Sequence, residues 1–292
     1  MIDFPQNNAS LKWDTRQRLA LLEATALWEG RVTTVSLIQL FGISRGQASK
    51  DFSLYHQLAA GNLVYDRNHK AYFPSDDFVP RFMRGTAEEY FRLVEAGSLL
   101  GQSVVLPIVP TGVGVECLSP PERKLDFRVL RLIHQAIREK RQFRASYQSL
   151  TSPAKPLTLE PHTLVFNGFR WHIRAFSREH GDYRDFVLAR FVSVPELDGS
   201  AGFRIDNDQD WHQIDSLLLA PHPGLSPQQQ AVIAADFGMV DGRLNLKVRR
   251  ALKFYVLRML HLDVEHADPK VQQIVWSNKE DADASVNEGL SL

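Results

Sequence analysis

The chain has 292 residues, of which 44% are hydrophobic, and a single cysteine, Cys117. One cysteine excludes an internal disulfide and a cysteine-rich zinc site, and no apolar run approaches the roughly 20 residues of a membrane span. Because the start, MIDFPQNNAS, lacks the charged and apolar regions of a signal peptide, we expect a soluble, cytoplasmic protein.

The formal charge is zero, with 34 basic and 34 acidic side chains, but it is unevenly distributed. Residues 126–200 hold 12 Lys and Arg against 8 Asp and Glu, whereas residues 201–292 hold 9 against 13. A neutral protein gains nothing from long-range steering, so any nucleic-acid binding must come from locally clustered cations.

Residues 1–80 contain three helical patterns followed by a hairpin pattern. The first helix is predicted to be capped by Asp14, to bury Leu19, Leu22, Ala26 and Leu27, and to end at Gly30. A short helix starts at Thr33 or Thr34, Phe41-Gly42-Ile43 forms a turn, and Ser44 caps a second helix that reaches about Ala60. Two helices across a tight glycine turn are typical of a helix-turn-helix.

The second helix of this pair has an apolar face made of Ala48, Phe52, Tyr55 and Leu58. The opposite face, near the helix N-terminus, carries Arg45, Gln47, Ser49 and Lys50. A recognition helix meets base edges at this place, with Arg reading guanine, Gln reading adenine, and Ser or Lys holding phosphates.

A polar tip, residues 66–70, lies between the apolar runs 63–65 and 71–73, which predicts a hairpin that contacts DNA as a wing. The sequence therefore predicts a winged helix-turn-helix over residues 1–80. Its alternative is a protein-docking module with ordinary solvated charges. The predicted DNA contacts are Thr33, Thr34, Ser44, Arg45, Gln47, Ser49, Lys50, Arg67, Asn68, His69 and Lys70.

Residues 81–125 are predicted to be a helical linker. Thr86 and Glu89 suit a helix start, and Tyr90, Leu93, Val94 and Leu100 recur on one side of a helix that ends near Gly101. The segment 106–122, rich in proline and glycine, is predicted to be a connection. A helix from Asp126 to about Arg141 then leads into a strand from Phe143 to Leu150.

Residues 161–191, which we interpret as three consecutive strands, are rich in aromatic and cationic side chains. Alternation over 169–176 places Arg170, His172, Arg174 and Phe176 on one face and Phe169, Trp171, Ile173 and Ala175 on the other. In the next strand Arg184, Phe186, Leu188 and Arg190 share a face. Guanidinium groups beside flat rings suit a phosphate-bearing, nucleotide-like ligand. The alternative is a barrel wall with solvated arginines and an aromatic core.

The same segment resembles the WYL domain, an Sm-like β-barrel of bacterial transcription regulators. The resemblance is carried by the tripeptide Trp171-His172-Ile173, by Pro161-His162, by Arg184-Asp185-Phe186 and by Leu188-Ala189-Arg190-Phe191. His172 departs from the usual tyrosine. The resemblance implies an effector-binding domain over residues 126–200. The predicted ligand residues are Tyr147, His162, Trp171, His172, Arg174, Arg184 and Arg190, although Trp171, which shares its face with Phe169 and Ile173, fits the core better than the ligand site.

Residues 201–292 are predicted to form a small α/β domain. It has strands at 215–220 and 244–248, a helix beginning at Ser226-Pro227, a last helix at 251–262 and a frayed polar tail from residue 277. The resemblance implies that this C-terminal extension dimerises the protein or covers the neighbouring barrel's ligand.

Catalytic motifs are absent from the sequence. It has no Walker loop, no G-x-S-x-G and no H-E-x-x-H. His172, His180, Asp182 and Asp185 lie close together in sequence, but His180-Gly181-Asp182 fits a hairpin turn. We therefore predict no enzyme activity, no cofactor and no metal.

Together these features predict an α+β multidomain protein: a winged helix-turn-helix, an Sm-like WYL β-barrel and an α/β dimerisation domain. The layout resembles WYL repressors encoded beside bacterial anti-phage defence systems. It implies a homodimeric repressor of a phage-defence operon that binds an inverted-repeat double-stranded operator. Its effector is predicted to be a nucleotide, an oligonucleotide or a single-stranded nucleic acid. The alternatives are an activator, and a factor that binds RNA or single strands through the barrel.

Overall fold

The computed structural model describes residues 11–100, 113–118 and 121–279, without the side chains of 97–100. It divides into two compact units, Met1–Pro120 and Pro121–Leu292. Most of the predicted connection at 106–122, the predicted tail beyond residue 279 and the side chain of Leu100 lie outside the described residues.

The first unit contains the predicted helices and hairpin. Gly30 and Gly42 end the first two helices with φ of 74° and 61°, the left-handed conformation that glycine adopts readily. The hairpin pairs Leu63 with Pro74 through to Asp66 with Ala71, and Val32 forms an isolated antiparallel bridge to Tyr72. The elements are α1 Trp13–Glu29, α2 Thr34–Phe41, α3 Arg45–Leu58, β1 Leu63–Asp66, β2 Ala71–Pro74 and α4 Ala87–Leu100.

Two details of this unit differ from the prediction. Asp14 is not the cap of α1, because Lys12 occupies the N-cap position and Asp14 lies in the first turn. Leu58 is 41% exposed, whereas Ala59 is buried. The helical period carries the buried face from Tyr55 to Ala59, four residues on, so Leu58 falls at its edge.

The second unit begins with an antiparallel five-stranded sheet in the order β6-β5-β4-β3-β7, with α5 packed against it. Ile133 of α5 is fully buried against Phe143, Leu159 and Ile173. The sheet is open, so closure into an Sm-like barrel is not confirmed. Its elements are α5 Phe127–Glu139, β3 Arg141–Tyr147, β4 Lys155–Phe166, β5 Trp171–Ser177, β6 Asp182–Val187 and β7 Glu196–Ser200.

The strands around the WYL tripeptide are shorter than predicted. β5 begins at Trp171, because residues 167–170 form a turn in which Asn167 Oδ1 accepts from the backbone N–H of Phe169 and Arg170 at 3.1 and 2.9 Å. β6 ends at Val187, and residues 188–190 form a 3-10 turn. The prediction that Arg190 continues the strand face of Arg184 is therefore wrong, because the period of two ends with the strand.

The rest of the second unit is a three-stranded sheet in the order β10-β8-β9, with helices on it. Ser226 caps α7 with a capping box, as its sequence predicts. The last helix is shorter than predicted, and β10 was not predicted. No helix in the described ranges is long and apolar enough to cross a membrane. The elements are α6 Gln209–His212, β8 Ile214–Pro221, α7 Pro227–Asp236, β9 Leu244–Arg249, α8 Lys253–Met259 and β10 Ile274–Trp276.

Candidate DNA interface and effector site

The N-terminal half of α3 presents polar side chains to solvent. Arg45, Ser49 and Lys50 are exposed, while Ala48 and Phe52 are buried in the core of the first unit. Among the described residues neither Arg45 nor Lys50 has an ion-pair partner. Their charges are therefore available to a ligand of this surface.

Side-chain caps hold the two helices of this motif. Thr33 Oγ1 accepts from the backbone N–H of Ser36 at 3.2 Å, and Ser44 Oγ accepts from the backbone N–H of Gln47 at 3.1 Å. Each cap satisfies a backbone donor that the first helical turn leaves unpaired. The hydroxyl protons of Thr33 and Ser44 are not used in these two bonds. Thr34, the first residue of α2, is half-buried.

A buried ion pair fixes Gln47. Arg18 of α1 donates to Asp51 of α3 through Nε at 2.7 Å, and Gln47 Nε2 donates to Asp51 Oδ1 at 2.9 Å. Arg18 and Asp51 are 7% and 1% exposed. Because a carboxylate only accepts, it orients the Gln47 amide with its nitrogen toward Asp51 and its oxygen free.

The hairpin tip is an exposed polar turn. Asp66 accepts from the backbone N–H of Asn68 at 2.7 Å and from that of His69 at 3.1 Å, and it contacts His69 Nδ1 at 2.9 Å. These hydrogen bonds, first that of the His69 side chain, hold the pKa of Asp66 below its usual value. Arg67 and Lys70 are exposed and have no ion pair among the described residues.

In the second unit, Arg174 lies in a buried charge network. Arg174, 6% exposed, donates to Asp208 through Nε at 2.7 Å and lies 3.7 Å from Asp185. His162 Nε2 contacts the same Asp208 carboxylate at 3.1 Å. A β-bulge between Pro161 and Thr163 contains His162, and such bulges re-aim side chains. Burial opposes ionisation of Asp208, yet the bonds and charge of Arg174 hold its pKa below the ordinary value.

A separate basic cluster surrounds His172. The ring of His172 is 1% exposed, and burial, followed by the charges of Arg170 and Arg190, lowers its pKa to about 4. Burial and then Arg190 and Arg123 also lower the pKa of Arg170. Among the described residues none of these three arginines has a carboxylate partner. Within residues 11–100, 113–118 and 121–279, Arg170 Nε and His172 Nδ1 are buried without a hydrogen-bond partner.

Helix α8 covers this cluster. The Tyr255 ring lies 5.1 Å from the His172 ring, and its hydroxyl donates to Asp185 Oδ2 at 3.0 Å. Burial raises the pKa of Tyr255, and the Asp185 charge raises it further. A cavity of about 350 Å³ opens between the turn 167–170 and α8, and its walls include Phe169, Arg170 and Tyr255. Arg170 brings the basic cluster to this cavity, whose walls also include Arg258 and His261.

Three family models match this chain. They are the winged helix-turn-helix domain of the BrxR transcriptional regulator over residues 14–96, the WYL domain over 128–195 and the BrxR C-terminal dimerization domain over 216–282. A protein of Escherichia coli strain KTE188 described as the DNA-binding transcriptional repressor CapW is 33% identical over 96% of this chain and 94% of its own length. Proteins with the same description from Pseudomonas aeruginosa and Stenotrophomonas maltophilia are 35% and 33% identical, over 92% and 94% of this chain and 91% and 93% of their own lengths.

The chain belongs to the CapW family of DNA-binding transcriptional repressors. The WYL resemblance inferred from residues 161–191 is confirmed, and so is the three-part layout of the family. CapW-family proteins are named as transcription regulators rather than enzymes. Within the described residues of this member, no three His, Cys, Asp or Glu side chains are grouped as metal ligands.

In this CapW-family structure the predicted ligand residues lie at several separate places rather than in one site. His172 and Arg190 lie together in the basic cluster, whereas His162 and Arg174 lie together around Asp208. Tyr147 is in the core, and its hydroxyl accepts from the backbone N–H of Val187 at 3.0 Å.

The two remaining ligand residues lie toward solvent. Trp171 is 51% exposed with its ring 5.1 Å from Phe166, so the preference for a core position is wrong. Arg184 is exposed, and its charge acts on His180.

Sequence reasoning did not select Arg123, Arg170 or Tyr255. Alternation places Arg170 on one face with His172, and this was the available signal for it. Arg123, whose guanidinium carbon lies 4.5 Å from the centre of the Phe169 ring, lies between the proline-rich connection and the helix that follows, where no helical or strand period applies. Tyr255 is 70 residues from its partner Asp185, so only the tertiary structure reveals it.

Proposed function

We propose that this protein is a homodimeric repressor that binds an inverted-repeat operator of an anti-phage defence operon and is released by an anionic effector. The relatives' description as DNA-binding repressors supports the first part. The match to a dimerization domain supports a twofold dimer, in which each α3 would meet one half-site. The defence role rests on the resemblance to WYL repressors encoded beside such systems.

The exposed start of α3 is the observation that carries the DNA-binding proposal. Arg45 suits a guanine edge, Lys50 suits a phosphate, and Gln47 is held by Asp51 with its amide oxygen free to accept from a base. Ser49 is exposed beside them, and Thr33, Thr34 and Ser44 lie at helix starts, where backbone N–H groups favour phosphate. Arg67, Asn68, His69 and Lys70 would follow the DNA backbone from the wing.

Selection of bound fragments from bacterial genomic DNA at physiological salt tests this proposal, because salt suppresses nonspecific phosphate binding. We expect enrichment of one inverted repeat upstream of a defence operon. Arg45→Ala should weaken binding to that repeat by about 5- to 150-fold, the effect of losing a base contact of about 1 to 3 kcal/mol, and relax selectivity at one position. Lys50→Ala should weaken binding to all DNA sequences by a similar factor. It should also reduce the slope of the logarithm of affinity against the logarithm of salt concentration by about one.

Arg92→Ala is the matched control, because Arg92 is exposed on α4, outside α3 and the wing. It should bind the repeat like the unaltered protein. Loss of binding in Arg92→Ala equal to that in Arg45→Ala, or no enriched duplex at all, would contradict the assignment of α3 as the recognition helix.

For the effector we propose the basic cluster of Arg123, Arg170, Arg190 and His172. The unpaired Arg170 Nε supports it, since buried polar atoms usually have partners and an anion would accept a hydrogen bond from this N–H. Three arginines that repel one another also gain from a phosphate between them. The proposed ligand class is therefore a nucleotide, an oligonucleotide or a single-stranded nucleic acid. Arg174 and His162 would act through Asp208 rather than on the ligand.

A second candidate function is direct binding of single-stranded nucleic acid. Phe166, Phe169 and Trp171 are 49%, 51% and 51% exposed along one hairpin, and bases stack on such rings. This function predicts tight single-strand binding that changes no operator occupancy, whereas an effector role predicts that the single strand releases the operator.

A further inference from the structure

The hydroxyl of Tyr255 joins two domains of the family. Its partner Asp185 and its ring neighbour His172 lie in the segment that matches the WYL domain, whereas Tyr255 lies in the segment that matches the dimerization domain. A change at this side chain therefore reaches both domains directly.

Asp185 also has a cationic partner, Arg174, which would keep it paired if the hydrogen bond from Tyr255 were broken. Arg174 Nη1 lies 3.7 Å from Asp185 Oδ1, an oxygen that has no hydrogen-bond partner in the part of the chain that the structure describes. Burial raises the pKa of Asp185, and Arg174 opposes this effect. Because Arg174 stays as counterion, breaking the tyrosine bond leaves no isolated buried charge, which would otherwise be costly.

Tyr255 also lines the cavity that holds the unpaired arginine. Arg170 and Tyr255 are both in its wall. A phenol has one proton to donate. It is given to Asp185 in this structure, and an anionic oxygen bound to Arg170 would offer the same proton a second acceptor.

We propose that Tyr255 is the coupling residue of the effector site: an anion bound by Arg170 takes the phenol's hydrogen bond from Asp185 and thereby moves α8 in the dimerisation domain. This inference rests on the proposed effector function. The exchange of acceptors gives the anion a differential interaction with two positions of α8, which any ligand needs if it is to shift a conformational equilibrium.

The test uses a 5′-phosphorylated, fluorescently labelled single-stranded DNA decamer as the probe, with the full-length protein at physiological salt. Fluorescence anisotropy measures binding, and hydrogen exchange measures the amides of α8, residues 253–259. We expect the probe to bind, Arg170→Ala to weaken it at least about tenfold, and the exposed control Arg138→Ala to leave it unchanged. Bound probe should speed exchange in α8 by about tenfold, the loss of one charged hydrogen bond.

Tyr255→Phe keeps the ring and removes the hydroxyl. It should bind the probe within about fivefold of the unaltered protein, since one hydrogen bond is lost with and without the ligand. Its α8 amides should exchange fast whether or not the probe is present. Tyr255→Phe combined with Asp185→Asn removes the weakly paired carboxylate and guards against a folding defect, and it should behave in the same way.

The outcomes separate the two proposals. Probe binding that needs Arg170 while α8 exchange stays unchanged would overturn the coupling role and leave the effector site standing. A probe-induced change in Tyr255→Phe equal to that in the unaltered protein would do the same. No binding, or binding indifferent to Arg170→Ala, would overturn both.

Discussion

At the scale of single residues, the partner of each charged side chain determines its role. Arg174 and Arg170 lie four residues apart, yet Arg174 is paired with Asp208 at 2.7 Å and Arg170 has an unpaired Nε. The first arrangement stabilises the fold, and the second favours an incoming anion. His172 belongs with Arg170, since its ring is buried among cations and stays neutral near pH 7.

His172 should make the free energy of unfolding depend on pH in the acidic range. Its pKa is about 4 in the folded protein and about 6.5 in the unfolded chain, so the unfolded state binds more protons between these values. The free energy of unfolding should therefore fall as pH drops through this window, by at most about 3 kcal/mol from this group. Urea denaturation at pH 7 and pH 4.5 measures the fall, which should be smaller in His172→Gln. Equal falls in both proteins would assign the dependence to other groups.

At the scale of elements, local caps and one buried acid hold the DNA-binding unit together. Ser44 and Thr33 cap their helices, as the sequence predicts. Glu23 makes long-range hydrogen bonds that no local sequence pattern predicts. Its carboxylate accepts from Tyr55 Oη at 2.9 Å and from the backbone N–H of Phe82 at 2.7 Å. Burial raises the pKa of Glu23, and these hydrogen bonds partly offset the cost of burying it. The chain after the wing is thereby tied to α1.

Ser44→Ala should loosen the start of α3. The substitution removes the acceptor of the Gln47 N–H and should cost about 1 kcal/mol, seen as about fivefold faster hydrogen exchange at the first turn. Ser44→Asp restores an acceptor and suits the helix dipole, so it should keep the protection. It should still weaken operator binding, because its carboxylate would face phosphates. Unchanged exchange in Ser44→Ala would show that the cap contributes nothing.

At the scale of the whole molecule, the winged helix-turn-helix match and the WYL match fall in different compact units. Each of its two units has its own core, and in the second unit the Arg174 network and Tyr255 connect the WYL sheet to the elements that follow it. In the function that we propose, an effector bound at the sheet would therefore act directly on the dimerisation domain, whose geometry would set the spacing of the operator half-sites.

Arg174→Ala should affect the stability of the second unit, whereas Arg190→Ala should affect the response to the effector. Arg174→Ala leaves Asp208 and Asp185 buried without their cation and should destabilise the second unit by about 3 to 5 kcal/mol. Arg190→Ala removes a cation that has no carboxylate partner among the described residues, so folding and operator binding should persist while release by the effector is lost. Thermal unfolding followed by circular dichroism, with operator titration, measures both. An Arg174→Ala protein that melts like the unaltered one would contradict the structural role.

Local sequence determined the parts of this protein that depend on neighbouring residues: the capped helices, the hairpin and the WYL motif. These follow from helical and strand periods and from turn residues only a few positions apart. The tertiary structure alone decided what covers each face. Alternation placed His172 and Arg174 together, but it could not show that Asp208, 34 residues on, neutralises Arg174 or that Tyr255, 70 residues from Asp185, closes over His172. The exposure of Trp171 and the turn at Arg190 were likewise unpredictable, because a period says which side chains share a face and not what packs on it.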